Sequence, residues 1–208
     1  MNTNVKLMEN KRKLVSVNYI AKIAILGAAA WVVMLLDFAM PFIFPVFLKL
    51  DFSDLIPLIG SLAMGPVAGI LIQLLKNLLH LTVTTTSGIG ELANFIVGSS
   101  FVTAAGLYYK HHKTKKGAFI SLLLGIVSIV SVAAIVNYSI TVPLYSKFII
   151  PYDAIINAAS KVVPAIHDKF TLILFAFCPF NLLKGVVLSL ITWPIYKKLS
   201  PILQKGLW

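Results

Sequence analysis

The 208 residues are 59% hydrophobic and 12% charged, and 18 Lys and Arg against 7 Asp and Glu give a net charge of +11. Residues 55–75 and 117–146 contain no charged side chain, which excludes a water-facing domain and meets the length of bilayer spans. The positive charge gathers where apolar runs begin and end, at Lys11, Arg12 and Lys13, at Lys110, Lys113, Lys115 and Lys116, and at Lys197 and Lys198. That pattern orients membrane proteins and calls for no nucleic-acid partner.

The first predicted segment covers 17–40 and ends at Pro41 and Pro45. Its apolar run lacks a polar flank with a small-residue cleavage site, so it reads as a retained span rather than a signal peptide. Ala21, Ala24 and Ala28 form a small-residue stripe along it. Such a stripe permits close helix packing in lipid, either inside the protein or against a membrane partner. A short polar interlude at 48–54 leads to a second segment, 52–64, too short to cross a bilayer upright. Gly65-Pro66 closes it and opens a third, also short, over 66–81. Gln73, Lys76 and His80 line one stripe of this third helix, with Lys76 and His80 either at a cavity mouth or at the membrane interface.

A Thr- and Gly-rich loop, 82–90, precedes the fourth segment, 89–109. Glu91 and Asn94 sit on one face near its start, where a carboxylate also simply favours a helix N-terminus. The fifth segment, 118–142, carries one amide, Asn137, which needs a hydrogen-bond partner from a neighbouring helix or a ligand. A mixed connection, 143–169, contains a surface helix around 152–162. The sixth segment, 170–196, holds Asn181 and Lys184 on one face, just after Pro179.

Lys184 is the costliest residue in the chain. It lies near the middle of its segment, about 20 Å of helix rise from either end, too far for its side chain to reach an interface. An ammonium at that depth faces a bundle interior or polar cavity. Beside the Asn181 amide it suits a ligand that presents carbonyl or ring-nitrogen acceptors.

These elements predict an all-α integral membrane protein, a six-helix bundle with short second and third segments. Residues 1–16 form a basic cytoplasmic segment, 17–199 the membrane domain and 200–208 a cytoplasmic tail. Six spans place both termini and the 110–116 loop together on the cytoplasmic face of a cell membrane, which accounts for all three basic clusters; five spans do not. No Gly-x-x-x-x-Gly-Lys phosphate loop is present, so ATP hydrolysis is not expected of this chain. The single cysteine, Cys178, excludes a disulfide framework. His111-His112 lacks nearby thiols or carboxylates, so no metal site is expected. No hydrolase grouping stands out, and the chain reads as a small-molecule-binding membrane protein rather than an enzyme. A stand-alone, ion-coupled vitamin or nucleobase permease is the alternative.

The stretch Pro179-Phe180-Asn181-Leu182-Leu183-Lys184-Gly185 resembles the riboflavin-specific substrate-binding subunits, or S components, of the energy-coupling factor vitamin transporters. Lys49-Leu50-Asp51-Phe52-Ser53-Asp54, Gly65-Pro66-Val67-Ala68-Gly69, Lys76-Asn77-Leu78-Leu79-His80, Gly90-Glu91-Leu92-Ala93-Asn94-Phe95 and Asn137-Tyr138 with Pro143-Leu144-Tyr145 extend the similarity over nearly the whole chain. The resemblance implies a six-helix riboflavin-binding protein with no resident cofactor, in which Asn181, Lys184 and Asn137 hydrogen-bond the flavin ring. Glu91, Asn94, Lys76, Leu48 and Tyr145 are further expected ligand-binding residues. It also implies partners: a transmembrane coupling subunit docked on Ala24 and Ala28, and two cytoplasmic ATPase subunits.

Overall fold

The computed structural model describes residues 17–205, so the expected 1–16 segment with its Lys11–Lys13 cluster, and positions 206–208 of the expected tail, lie outside the described residues. Helix α1 spans Val17–Met34 and stops before the predicted end at Met40. A short antiparallel pair claims the next residues instead. Strand β1 (Phe38–Ala39) pairs with β2 (Lys49–Leu50), Phe38 opposite Leu50 and Ala39 opposite Lys49. The helix therefore ends upstream of both prolines that were expected to end it.

Helix α2 (Leu55–Met64) and α3 (Pro66–His80) meet at Gly65, whose φ of 100° favours glycine. Pro66 starts α3, where its missing N–H costs nothing. A 3-10 turn, Leu81–Val83, then leads to α4 (Ile89–His111).

Helix α5 runs over Lys115–Phe148 and α7 over Lys169–Gln204, both longer than predicted. Each contains a π turn, Asn137–Thr141 in α5 and Ile173–Phe177 in α7. Each π turn lies just before a proline, Pro143 or Pro179. Proline removes a backbone donor and crowds the preceding turn, and the wider π turn lets the helix continue through it. Helix α6 (Tyr152–Ser160) occupies the predicted place, but it is more than a surface element, because Ile155 and Ala159 are buried. The boundary expected between 199 and 200 falls inside α7. Its end is tied down where Gln204 Nε2 donates to the Ala63 carbonyl at 2.9 Å and Lys22 Nζ to that of Leu203 at 2.7 Å.

Among the described residues, five helices are long and apolar enough to span a membrane: Val17–Met34, Pro66–Val83, Ile89–His111, Lys115–Phe148 and Lys169–Gln204; Leu55–Met64 is a shorter apolar helix. Their outward positions are themselves apolar, as at Ile25 on α1 and Phe119, Val127 and Ile135 on α5, the surface expected of a protein solvated by lipid. Apart from the two-residue strands, the fold is an all-α, multi-spanning membrane bundle.

Besides a cluster that joins α1 to α3 (Tyr19, Ile23, Ala30, Ala68 and Ile72), two apolar clusters organise the interior. Leu58, Phe101, Val102, Ile129 and Leu188 join α2, α4, α5 and α7. Phe44, Leu48, Ile155, Ile166, Phe177 and Phe180 join the 41–50 loop, α6 and α7. Glycine sets two close approaches. A Cβ on Gly98 would overlap Gln73 Nε2, and one on Gly185 would lie 3.2 Å from Ile129; α4 thus approaches α3, and α7 approaches α5.

Candidate ligand cavity and its charge network

The two clusters meet around a cavity of about 180 Å³. Most of its wall is apolar or aromatic, with Leu48, Val97, Phe177 and Phe180 among the contributors, and Phe47 packs against Phe177 at a ring distance of 6.2 Å. Asn94, Asn137, Asn181 and Lys184 bring polar groups to the same wall from α4, α5 and α7, and Tyr145 and Lys49 also line it.

Two of the amides bond back to their own helices. Asn137 Nδ2 donates to the Ala133 carbonyl and Asn181 Nδ2 to that of Phe177, each at 2.8 Å. One N–H of each amide is thus occupied within its own helix, and each amide oxygen keeps its acceptor capacity. Asn94 Oδ1 is buried with no hydrogen-bond partner. A buried, unpaired acceptor is costly, and one lining a cavity is a place for a ligand donor.

Lys184, 6% exposed, is already partnered. Its Nζ lies 3.0 Å from Asp51 Oδ2 and 2.6 Å from Asp54 Oδ2. Neither aspartate was expected beside it. Lys76, fully buried, does not reach the cavity mouth either. It pairs with Asp54 Oδ1 and donates to Ser53 Oγ at 2.6 Å. Gln73 Nε2 donates to Asp54 Oδ1 at 2.7 Å, and Asp51 Oδ1 accepts from the Ser53 N–H at 2.8 Å. Two lysines thus face two aspartates in a neutral group that locks the residues after β2 onto α3 and α7. An ammonium has three N–H donors. Lys184 directs two of them at the aspartates and keeps one for the cavity.

Glu91 is also absent from the cavity wall. Its carboxylate meets His80 Nδ1 at 2.8 Å and accepts from Thr86 Oγ1 at 2.8 Å, so it braces the 82–90 loop against α3. Of the eight residues expected to bind ligand, Asn181, Lys184, Asn137, Asn94, Leu48 and Tyr145 line the cavity, while Lys76 and Glu91 stand behind it.

Asp51 and Asp54 were missed as members of the site. Their signal was present: two acids three residues apart, among only seven in the chain, in a protein with a mid-span lysine that needs a counter-charge. On α1, Ala24 and Ala28 are exposed, whereas Ile23, Gly27 and Ala30 are buried.

Comparison with known proteins agrees with this architecture. Residues 18–196 match the family model described as "ECF transporter, substrate-specific component". The chain belongs to that family. The Riboflavin transporter RibU of Staphylococcus aureus (strain TCH60) is 32% identical to this S component over 206 residues, covering 99% of this chain and 100% of that protein. The Riboflavin transporter FmnP of Bacillus subtilis (strain 168) is 32% identical over 186 residues, 88% of this chain and 92% of that one. A solved structure described as "Structure and mechanism of the S component of a bacterial ECF transporter" superposes with a TM-score of 0.69 at 30% identity, over 90% of this chain and 98% of that chain. As an S component, the protein is a transporter subunit and not an enzyme.

Proposed function

We propose that this S component captures riboflavin in the cavity between α4, α5 and α7 for ATP-driven uptake. The observation that carries the reading is the convergence of three amide acceptors and a buried lysine donor, with its counter-ions Asp51 and Asp54, on a largely apolar and aromatic wall. A flavin ring is flat and largely apolar, and its imide N–H is flanked by carbonyl and ring-nitrogen acceptors. The imide N–H meets an asparagine oxygen, and the remaining Lys184 N–H meets a ring acceptor. Burial against Phe47, Phe177 and Phe180 supplies most of the affinity and the polar groups set orientation. The polyol chain lies toward Lys49 and Ile150, where the lining is exposed. The names of the RibU and FmnP relatives support the same ligand.

In this reading Lys76 and Glu91 act indirectly, through Asp54 and the 82–90 loop. Ala24 and Ala28 dock a transmembrane coupling subunit, two ATPase subunits supply energy, and both termini face the cytoplasm. The test is the visible absorption of the purified protein after incubation with riboflavin. A bound-flavin band, with Kd raised at least tenfold by Lys184→Met, is expected; no flavin uptake, or an unchanged Kd, rejects the assignment. Ala24→Trp with Ala28→Trp should abolish cellular uptake while riboflavin binding persists, and uptake at the normal rate rejects the docking role.

A further inference from the structure

Charge is segregated between the two ends of the bundle. All the carboxylates among the described residues (Asp37, Asp51, Asp54, Glu91, Asp153 and Asp168) lie at the end where α1 finishes and α4 begins. The other end carries Lys110, Lys113, Lys115, Lys116, Lys197 and Lys198, and no ion pair among the described residues involves any of them. A basic surface at the membrane boundary without internal counter-charges is complementary to an anion.

Directly beside the densest part of that surface is an open groove of about 640 Å³ between α4 and α5. Its lining includes the small residues Ala104 and Ser131 and the larger, exposed Leu107, Leu124 and Val127. Ser128 donates its hydroxyl to the Ser100 carbonyl at 3.1 Å, so this hydroxyl is not left as an unpaired donor in the apolar channel. At the basic end Tyr108 and His112 close the groove with stacked rings 4.3 Å apart, and the 110–116 loop follows at once. Helix α1 packs against α2 and α3, so this groove lies on a different face from Ala24 and Ala28.

We propose that the α4–α5 groove is a site for an anionic glycerophospholipid, with one acyl chain along Leu107, Leu124 and Val127 and the headgroup phosphate bound by Lys113, Lys115 and Lys116. The occupant is a lipid rather than a soluble anion because the groove surface is mostly apolar and the lysines follow only beyond its His111–His112 end. Lysines next to the membrane surface each add to the attraction for anionic headgroups. Loss of three lysines therefore predicts roughly 100-fold weaker retention.

The experiment is to delipidate the purified full chain, add phosphatidylglycerol or phosphatidylcholine in detergent, and count bound lipids by native mass spectrometry. The wild type should retain phosphatidylglycerol in preference to phosphatidylcholine. Lys113→Gln/Lys115→Gln/Lys116→Gln should lose that preference, Ser131→Phe should lose the lipid with the lysines intact, and Lys197→Gln/Lys198→Gln should behave as wild type. Thermal unfolding of each variant in detergent checks folding. Equal retention of the two lipids overturns the proposal, as does retention by the triple variant. Retention by Ser131→Phe reduces the effect to surface attraction and overturns the groove as its seat. Lipid binding unchanged in all variants, with a coupling subunit lost from the triple variant alone, assigns the surface to a protein partner instead.

Discussion

Asp54 is 1% exposed and touches Lys76, Lys184 and Gln73 at once. A buried ion pair adds little net stability when whole, because desolvation offsets attraction, but breaking it strands a charge. Asp54→Asn should therefore destabilise the protein by about 3–5 kcal/mol, read as a fall in unfolding temperature in detergent. Adding Lys76→Met removes the stranded charge and should recover much of that loss. No recovery would show that the lysine is not balanced by Asp54. Asn94 has the opposite sign. Its Oδ1 is buried and unpaired, so Asn94→Leu should leave the ligand-free protein as stable or more stable. The same change should weaken riboflavin by roughly tenfold, the value of one hydrogen bond, measured by titration of flavin fluorescence.

The elements show how two prolines became compatible with long helices. Asn137 opens the π turn at Asn137–Thr141 and Asn181 follows the one at Ile173–Phe177 by one helical turn, and both line the cavity, in line with the concentration of such turns at functional sites. Helix α7 has a well-formed start. Asp168 accepts from the Thr171 N–H at 2.7 Å, and the Asp168 N–H donates to Thr171 Oγ1 at 3.0 Å. Hydrogen bonds from the Thr171 side chain and backbone hold the Asp168 carboxyl below its usual pKa. A depressed folded-state pKa gives stability above the unfolded value that is lost as pH falls through the folded one. Asp168→Ala should thus lower the unfolding temperature at neutral pH, with the gap closing below the ordinary carboxylate range. A gap that persists unchanged in acid would reject the cap as its source.

On the scale of the whole molecule, the separation of acids from unpaired lysines makes a topological prediction. Positive charge stays on the cytoplasmic side, so the 110–116 loop should be inside and α6 outside. In a Cys178→Ser background, a membrane-impermeant thiol reagent applied to intact cells should label Asp153→Cys and spare Lys113→Cys. The reverse pattern would invert the protein.

Much of this was legible in the chain. Uncharged runs gave the helices, because lipid admits few charges and requires internal backbone hydrogen bonds. A mid-span Lys184 beside Asn181 marked the cavity, since so costly a charge needs a polar destination. Local pattern could not supply the end of α1, which a pairing partner at Lys49–Leu50 decides, or the π turns with which α5 meets Pro143 and α7 meets Pro179. It also could not separate Lys184, which lines the cavity, from Lys76, which is buried behind it. Both are lysines on apolar helices, and their difference lies in where α3 and α7 stand relative to Asp51 and Asp54. Lys184 entered as a charge without a partner; its counter-ions lie 133 and 130 positions earlier in the chain, at Asp51 and Asp54. Sequence alone determined that the charge must be compensated, because desolvation is local. Only the tertiary structure decided which residues compensate it, because the meeting of distant segments is set by packing.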